Sequence, residues 1–270
     1  MEVRFWGVRG SVAVSGEDFV STGGNTTCVE VTHEGHRLVL DGGTGLQALG
    51  RKLLEERPGV ETTLLFSHVH WDHIQGVPFF GPAFRPGDKL RLAGAPGLRE
   101  ALSAQMQAPQ FPVPMEAFQA DVDVLELAAG RPVPIGPFEV LPIEMQHPQG
   151  VLVFRIEAGG RSMVFATDVE HGDTLDDGLV ELSRDVDLLV HDAQYTRAEY
   201  DGEEGPCRRG WGHSTWEQAV ELGQRSGARR TALFHHDPTR TDRQLAVIEA
   251  VAAQRLGGAF AAREGRSVAL

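Results

Sequence analysis

The chain has 270 residues, enough to bury a full hydrophobic core, and a net charge of −13. That charge argues against a broad electrostatic footprint for long nucleic acid. The absence of an apolar run of membrane-spanning length argues against a membrane partner, and Cys28 and Cys207 are too few for a disulfide framework or a zinc ribbon.

In chain order, residues 2–6 read as a first strand and 7–24 as a glycine-punctuated loop. The opening segment is not a basic stretch followed by an apolar one, so no secretory leader is expected and a cytoplasmic location fits. Segments 27–32 and 37–40 read as a hairpin around Glu34-Gly35, ended by Asp41-Gly42-Gly43. Leu46, Leu49, Leu53 and Leu54 have the spacing of an amphipathic helix, which Pro58-Gly59 stops. The run 62–66 reads as a buried strand, 89–93 as another, and 97–105 as a helix. Residues 106–121, rich in proline, glutamine and phenylalanine, read as a surface loop bordering either a site or an oligomer contact. The second half continues with strands at 123–127, 138–145, 151–157 and 161–166, the last two joined at Gly159-Gly160. A helix at 174–183, a strand at 186–190, a helix at 215–223, a strand at 230–234, a helix at 242–255 and a short strand at 267–270 complete it. No linker interrupts this order, so the expectation is one α/β domain over residues 1–270, with two facing sheets and helices outside.

The chemistry concentrates in His68-Val69-His70-Trp71-Asp72-His73, directly after the strand 62–66. Such loops at strand carboxyl ends are where open α/β sheets place their ligands. Alternation along an extended segment points His68 and His70 to one side, and Asp72 and His73 follow one turn later. One metal can take the first pair and a second metal the other. Imidazole nitrogen and carboxylate oxygen suit zinc at ~2.0–2.2 Å, with manganese or iron as alternatives. Three further donors follow apolar strands: His147, Asp168 and His235. The assignment is His68, His70 and His147 on the first metal, and Asp72, His73 and His235 on the second. Asp168 bridges ions ~3.5–4 Å apart that share an activated hydroxide. His236 is the alternative to His235. His33, His36 and His171 are not expected to be ligands.

These residues resemble the metallo-β-lactamase superfamily. His68 to His73 is similar to its H-x-H-x-D-H signature, and Asp41-Gly42-Gly43 to its aspartate-glycine turn. His147, Asp168 and His235 fall at its later motif positions. The resemblance implies an αββα sandwich of two facing mixed sheets with the metals at one edge. Trp211-Gly212-His213-Ser214-Thr215 resembles the histidine-serine-threonine box of the tRNase Z branch, and His191-Asp192-Ala193-Gln194 its His-Glu-Ala-Thr box. In the second, aspartate replaces glutamate and Gln194 replaces threonine. Carried over, His213 assists phosphodiester cleavage and Asp192 orients it. The same segment also reads as a helix N-cap, with Ser214 or Thr215 capping.

The tRNA-processing members carry a long arm between the third and fourth metal motifs. Here Asp168 lies only 21 positions after His147, the interval filled by one hairpin. The resemblance therefore points to armless relatives that cleave small cyclic phosphates and cyclic nucleotides. The expectation is a dinuclear phosphodiesterase with Asp72, His213 and Asp192 as catalytic residues. The expected partner is a small phosphodiester or nucleotide substrate, bound by a homodimer with no long nucleic acid. Arg208, Arg209, Trp211 and Asn25 are candidate substrate contacts, and Arg9 a weaker one. The competing readings are a ribonuclease acting on RNA ends and a lactone or thioester hydrolase that has no need of His213.

Overall fold

The computed structural model describes residues 1–270. Fourteen strands form two seven-stranded sheets. The first sheet contains β1 (Glu2–Gly7), β2 (Cys28–His33), β3 (His36–Leu40), β4 (Glu61–Leu65), β5 (Lys89–Gly94) and β6 (Asp121–Glu126), with β14 (Ser267–Ala269) beside β1. The second contains β7 (Val133–Ile135), β8 (Phe138–Met145), β9 (Val151–Ala158), β10 (Arg161–Ala166), β11 (Leu188–Asp192), β12 (Thr231–Phe234) and β13 (Ala259–Ala261), in that spatial order. Each sheet is mixed. β14-β1-β2-β3 and β7-β8-β9-β10 pair antiparallel, while β3-β4-β5-β6 and β10-β11-β12-β13 pair parallel.

The hairpin turns follow from their residues. Glu34 and Gly35 have φ of 49° and 78°, and Gly159 and Gly160 have 57° and 70°. Both central residues are thus left-handed, the two-residue turn whose twist matches its strands. The sheets face each other across Val3, Phe5, Val31 and Leu38 on one side and Phe138, Phe154, Phe165 and Phe234 on the other, all buried. The outer face of the first sheet packs on α1 (Gly45–Leu54) and α3 (Leu98–Gln105) through Leu46, Leu49, Leu53 and Leu102. The outer face of the second packs on α4 (Asp177–Leu182), α6 (Trp216–Ser226) and α7 (Asp242–Arg255) through Leu179, Leu222 and Ala252. The layers are therefore helix, sheet, sheet, helix, the αββα sandwich.

Several boundaries differ from the sequence reading. β6 starts at Asp121 rather than 123, because outward charges on an edge strand do not end it. β11 begins at Leu188 and runs on to Asp192, whose polar side chain is accommodated at the strand's end opposite Phe234. The three-residue strands β7 and β13 and the short helix α5 (Arg197–Asp201) lay below any periodic signal. α5 did carry one cue, since Thr196 and Glu199 form a capping box. Residues 106–121 are mostly irregular, as expected, with one 3-10 turn at Met115–Ala117. No helix is long and apolar enough to cross a membrane.

Candidate metal centre and active site

The parallel halves of both sheets aim their carboxyl ends at one edge. Asp41 follows β3, the loop 66–70 follows β4, and the short helix α2 (Trp71–Ile74) carries Asp72 and His73. From the other sheet come His147 after β8, Asp168 after β10, Asp192 at the end of β11 and His235 after β12. The structure brings all seven expected ligands together in two adjacent groups. His68, His70 and His147 form one, and Asp72, His73, Asp168 and His235 the other.

The ring nitrogens divide the labour. His73 Nδ1 lies 2.8 Å from Asp41 Oδ2, His147 Nδ1 2.9 Å from the Gly212 carbonyl, and His235 Nδ1 2.9 Å from Gln194 Oε1. His70 uses Nε2, 2.7 Å from Gln149 Oε1. With these nitrogens donating outward, the opposite nitrogen of each neutral ring turns a lone pair inward. His73 Nε2 and His235 Nε2 then face Asp168 Oδ1 at 3.3 and 3.1 Å. Asp72 Oδ2 lies 3.3 and 3.2 Å from the same two nitrogens. On the other side, Asp168 Oδ2 is 3.7 Å from His68 Nε2 and 3.9 Å from His147 Nε2. One carboxylate thus turns an oxygen to each group. Lone pairs facing carboxylate oxygens repel unless a cation lies between them, and His68 Nε2 and His73 Nε2 are buried with no hydrogen-bond partner. The donor set fits a dinuclear metal site.

The electrostatics agree. Burial opposes ionisation of Asp72, but His73 and His235 outweigh it and hold the carboxyl well below its usual range. Asp168 is held low in the same way by His235 and His73. His68 is pushed down by burial and by the nearby His73. Burial works against the charged form of His73, yet Asp168, Asp72 and Asp41 pull it far up, so the surroundings call for positive charge at that position.

The backbone is strained around these groups. Ser11, Asp41, Gln149, Asp168 and His235 have φ between 55° and 67°, five of the seven non-glycine residues in the left-handed region. Each such residue costs on the order of 1 kcal/mol or more, and such strain gathers at functional sites. Each here belongs to the two groups or touches one of their members. The Ser11 N–H donates to Asp72 Oδ2 at 2.7 Å, and Asp41 also accepts from Ser67 N at 2.7 Å and Ser67 Oγ at 2.8 Å.

His213 stands beside the second group. Its Nδ1 is 2.9 Å from Asp192 Oδ2 and 3.8 Å from Asp168 Oδ2, and its ring stacks on His235 with centroids 5.0 Å apart. Burial works against its charge, but Asp192, Asp168 and Asp72 prevail and push it up to about 9. Asp192 is buried and also accepts from Asp168 N, Gln194 N and Ser214 N. The capping reading holds alongside this. Thr215 caps α6 through a reciprocal pair with Gln218, while Ser214 donates to the Val169 carbonyl.

The remaining candidates separate. Arg208 and Trp211 line a cavity of about 240 Å³ with Ser11, Tyr195 and His213. Arg209 does not: it pairs with Asp173 at 2.7 Å and Asp201 at 2.6 Å. Asn25 is held by Glu264 and Thr44, and buried Arg9 turns Nε to the Gly23 carbonyl and Nη1 to that of Arg240. His236 belongs to neither group, with Nε2 3.0 Å from the Ala262 carbonyl. One residue that sequence reasoning missed is Glu170, which accepts from Tyr200 Oη and Gly210 N, each at 2.6 Å, and from Gly212 N at 2.7 Å. It fixes the loop whose Gly212 carbonyl orients His147. Gly212 has φ of 88°, and a Cβ there would lie 2.3 Å from His147 Nδ1, so only glycine fits.

Residues 36–236, well over half of the chain, match the "Beta-lactamase superfamily domain" family. The chain belongs to the metallo-β-lactamase superfamily. Among the relatives of this superfamily member, Ribonuclease Z of Natronomonas pharaonis is 28% identical over 317 aligned positions, covering 99% of this chain and 97% of the relative. The metallo-β-lactamase fold protein YhfI from Bacillus subtilis superposes with a TM-score of 0.74 at 18% identity, covering 99% of this chain and 98% of that one. The short form of human tRNase Z gives 0.67 at 21%, covering 100% and 99%. The chain is a metal-dependent hydrolase of the phosphodiesterase class in the tRNase Z-like branch of the superfamily. The name Ribonuclease Z gives no support to the expectation that long nucleic acid is excluded.

Proposed function

We propose that this protein hydrolyses a small phosphodiester, a cyclic nucleotide first among them, at two divalent cations. His68, His70 and His147 would hold one cation, Asp72, His73 and His235 the other, and Asp168 both. The observation that carries this reading is the Asp192–His213 pair standing 3.8 Å from the carboxylate shared by both groups. Two cations there would neutralise the phosphate and acidify the attacking water. The protein's own residues do the rest. Asp72, anchored by the Ser11 N–H, keeps negative charge in the second group. Asp192 fixes His213 with Nδ1–H turned toward it, so that Nε2 is free to pass a proton to the leaving oxygen. Arg208 and Trp211 would receive the ester group on that side. The nitrogen and oxygen donors favour zinc, with manganese or iron as alternatives.

Two observations support a small substrate. The 20 positions between His147 and Asp168 hold only the β9–β10 hairpin, and the alignment of 317 positions to a 270-residue chain means the relative carries segments this chain lacks. The second reading, a ribonuclease acting on RNA ends, is favoured by the relatives' name. Zinc- or manganese-loaded protein assayed on bis(p-nitrophenyl) phosphate, a cyclic-nucleotide panel and short oligoribonucleotides decides between them. Faster turnover of cyclic nucleotides supports the first, and faster cleavage of oligoribonucleotides replaces it with the second. No turnover of any phosphodiester by metal-loaded protein overturns both. The homodimer stays within the proposal, since Phe79 and Val113 are exposed beside the partly buried Phe111. A monomeric mass in sedimentation removes it.

A further inference from the structure

A second cavity opens beside the first metal group and shares no lining residue with the cavity beside His213. It has a volume of about 440 Å³ and shares His68 and His70 with the first metal group, and Gln149 with the support of His70. Its walls come from the ends of both sheets: Phe66 and Val69 after β4, Leu98 of α3, Leu127 after β6, and Val151 and Leu152 of β9. Nine of its 17 lining residues are hydrophobic, none is arginine or lysine, and apart from the two histidines the only ionisable side chain is that of Glu144. The cavity beside His213 has the opposite character, with Arg208, Asp237 and His213 among its eight lining residues.

A phosphodiester has two ester arms that leave phosphorus in different directions. With phosphorus between the two metal groups and the leaving oxygen beside His213, the rest of the substrate can reach the cavity beside His70. The His213 side offers a proton and Arg208, whose charge is shared with Asp237 at 3.3 Å. The His70 side offers apolar wall and a single carboxylate, which repels a second phosphate and leaves a charged arm unpaired. Its volume is that of a small-molecule site.

We infer that the crevice bounded by Phe66, Val69, Leu98 and Leu127 binds the part of the substrate remote from the leaving oxygen, and that this part is uncharged and flat: the base of a cyclic nucleotide, or the aromatic ring of an open diester. The inference rests on the phosphodiesterase reading for the position of phosphorus. It deepens that reading, because it makes the enzyme selective for diesters with one flat uncharged group and poor toward those bearing further phosphates on that side.

The test is calorimetric binding of two slow, unactivated diesters to zinc-loaded protein: dimethyl phosphate and methyl phenyl phosphate. Covering even a third of an aromatic ring's surface is worth about tenfold in affinity. The expected result is a phenyl preference of about tenfold that collapses toward unity in Ala128→Trp and in Ala129→Trp, two exposed wall positions where an indole fills the crevice. Equal affinity of the two diesters, or a phenyl preference that survives both substitutions, overturns the inference. Bis(p-nitrophenyl) phosphate turnover is measured on the same samples. A crevice-dependent phenyl preference with no turnover would retain the crevice and reject the phosphodiesterase reading. Turnover without the preference would do the reverse.

Discussion

Replacing Asp192 by asparagine removes one charge and leaves the shape of the side chain. The wild-type carboxylate accepts four hydrogen bonds, from His213 Nδ1 at 2.9 Å, Gln194 N at 3.0 Å, and Asp168 N and Ser214 N at 3.2 Å each. An amide has one accepting oxygen, so one pair of donors must face its NH₂. If that pair is Gln194 N and Ser214 N, two buried amides go unsatisfied at roughly 1–3 kcal/mol each. If it is His213 and Asp168 N, the ring can turn its Nδ1 lone pair to the amide. Its proton then sits on Nε2 of a neutral imidazole, a far poorer acid than a ring held at about 9. In either case the charge that stabilises the imidazolium is gone. The expected loss is about 10²–10³ in kcat for a substrate leaving as an alkoxide, within the span of general-acid contributions. Bis(p-nitrophenyl) phosphate expels a stable aryl oxide and should lose less than about tenfold. The assay is steady-state kinetics on both substrates at matched metal content, with thermal melts to confirm folding. Equal losses on both substrates would mean that Asp192 only props the fold, and no loss on either would remove His213 as proton donor.

Glu170→Gln leaves Tyr200 and Gly210 partly served but weakens the hold on Gly212, whose carbonyl orients His147. Affinity at the first group should fall about 10–100-fold, read by metal competition with a chelating dye. Unchanged affinity would show that the loop holds its own shape. Stripping the metals should lower the melting temperature by about 10 °C. Loss of ligand at about 1,000 times its Kd costs ~4 kcal/mol, and each kcal/mol is worth ~2–4 °C in a chain of this size. An apoprotein melting at the same temperature would refute the cation-dependent account of the inward lone pairs. Acid sensitivity should come in part from His171, which burial and the neighbouring His191 ring, 3.0 Å away, push down to about 3. The unfolded chain takes up that proton below about 6.5, so the contribution is intact above that pH and is lost as pH falls from there toward 3. Discounted for partial exposure, this is about 1–2 kcal/mol at pH 5. His171→Gln should flatten the fall in melting temperature between pH 6.5 and 5, and an unchanged slope would place the sensitivity elsewhere.

The positions that meet at the two metal groups were legible because each lies just past an apolar strand in a sheet whose carboxyl ends share one edge. What the sequence concealed is what holds them. Gln149, Gln194, Glu170 and the Gly212 carbonyl are ordinary residues in ordinary loops, and their partners lie 79, 41, 42 and 65 positions away. The same blindness explains Arg209 and Asn25. As isolated polar side chains they read as substrate contacts, yet Asp173, Asp201 and Glu264 already engage them. The choice between His235 and His236 was likewise closed to pattern alone. The two rings are parted by a left-handed backbone at His235, whose ring joins Asp72, His73 and Asp168 while its neighbour bonds Ala262.

The left-handed backbone around the centre also limits how this protein can be made tougher. Glycine or asparagine at Asp41, Asp168 or His235 would relax the chain, and a laboratory screen of the metal-free protein for survival on heating would collect such changes. Each would discard a ligand or the residue that aims one. Heat resistance selected by itself would therefore dismantle the catalyst from the inside, and a hardened variant must find its gains in the helices and outer strands.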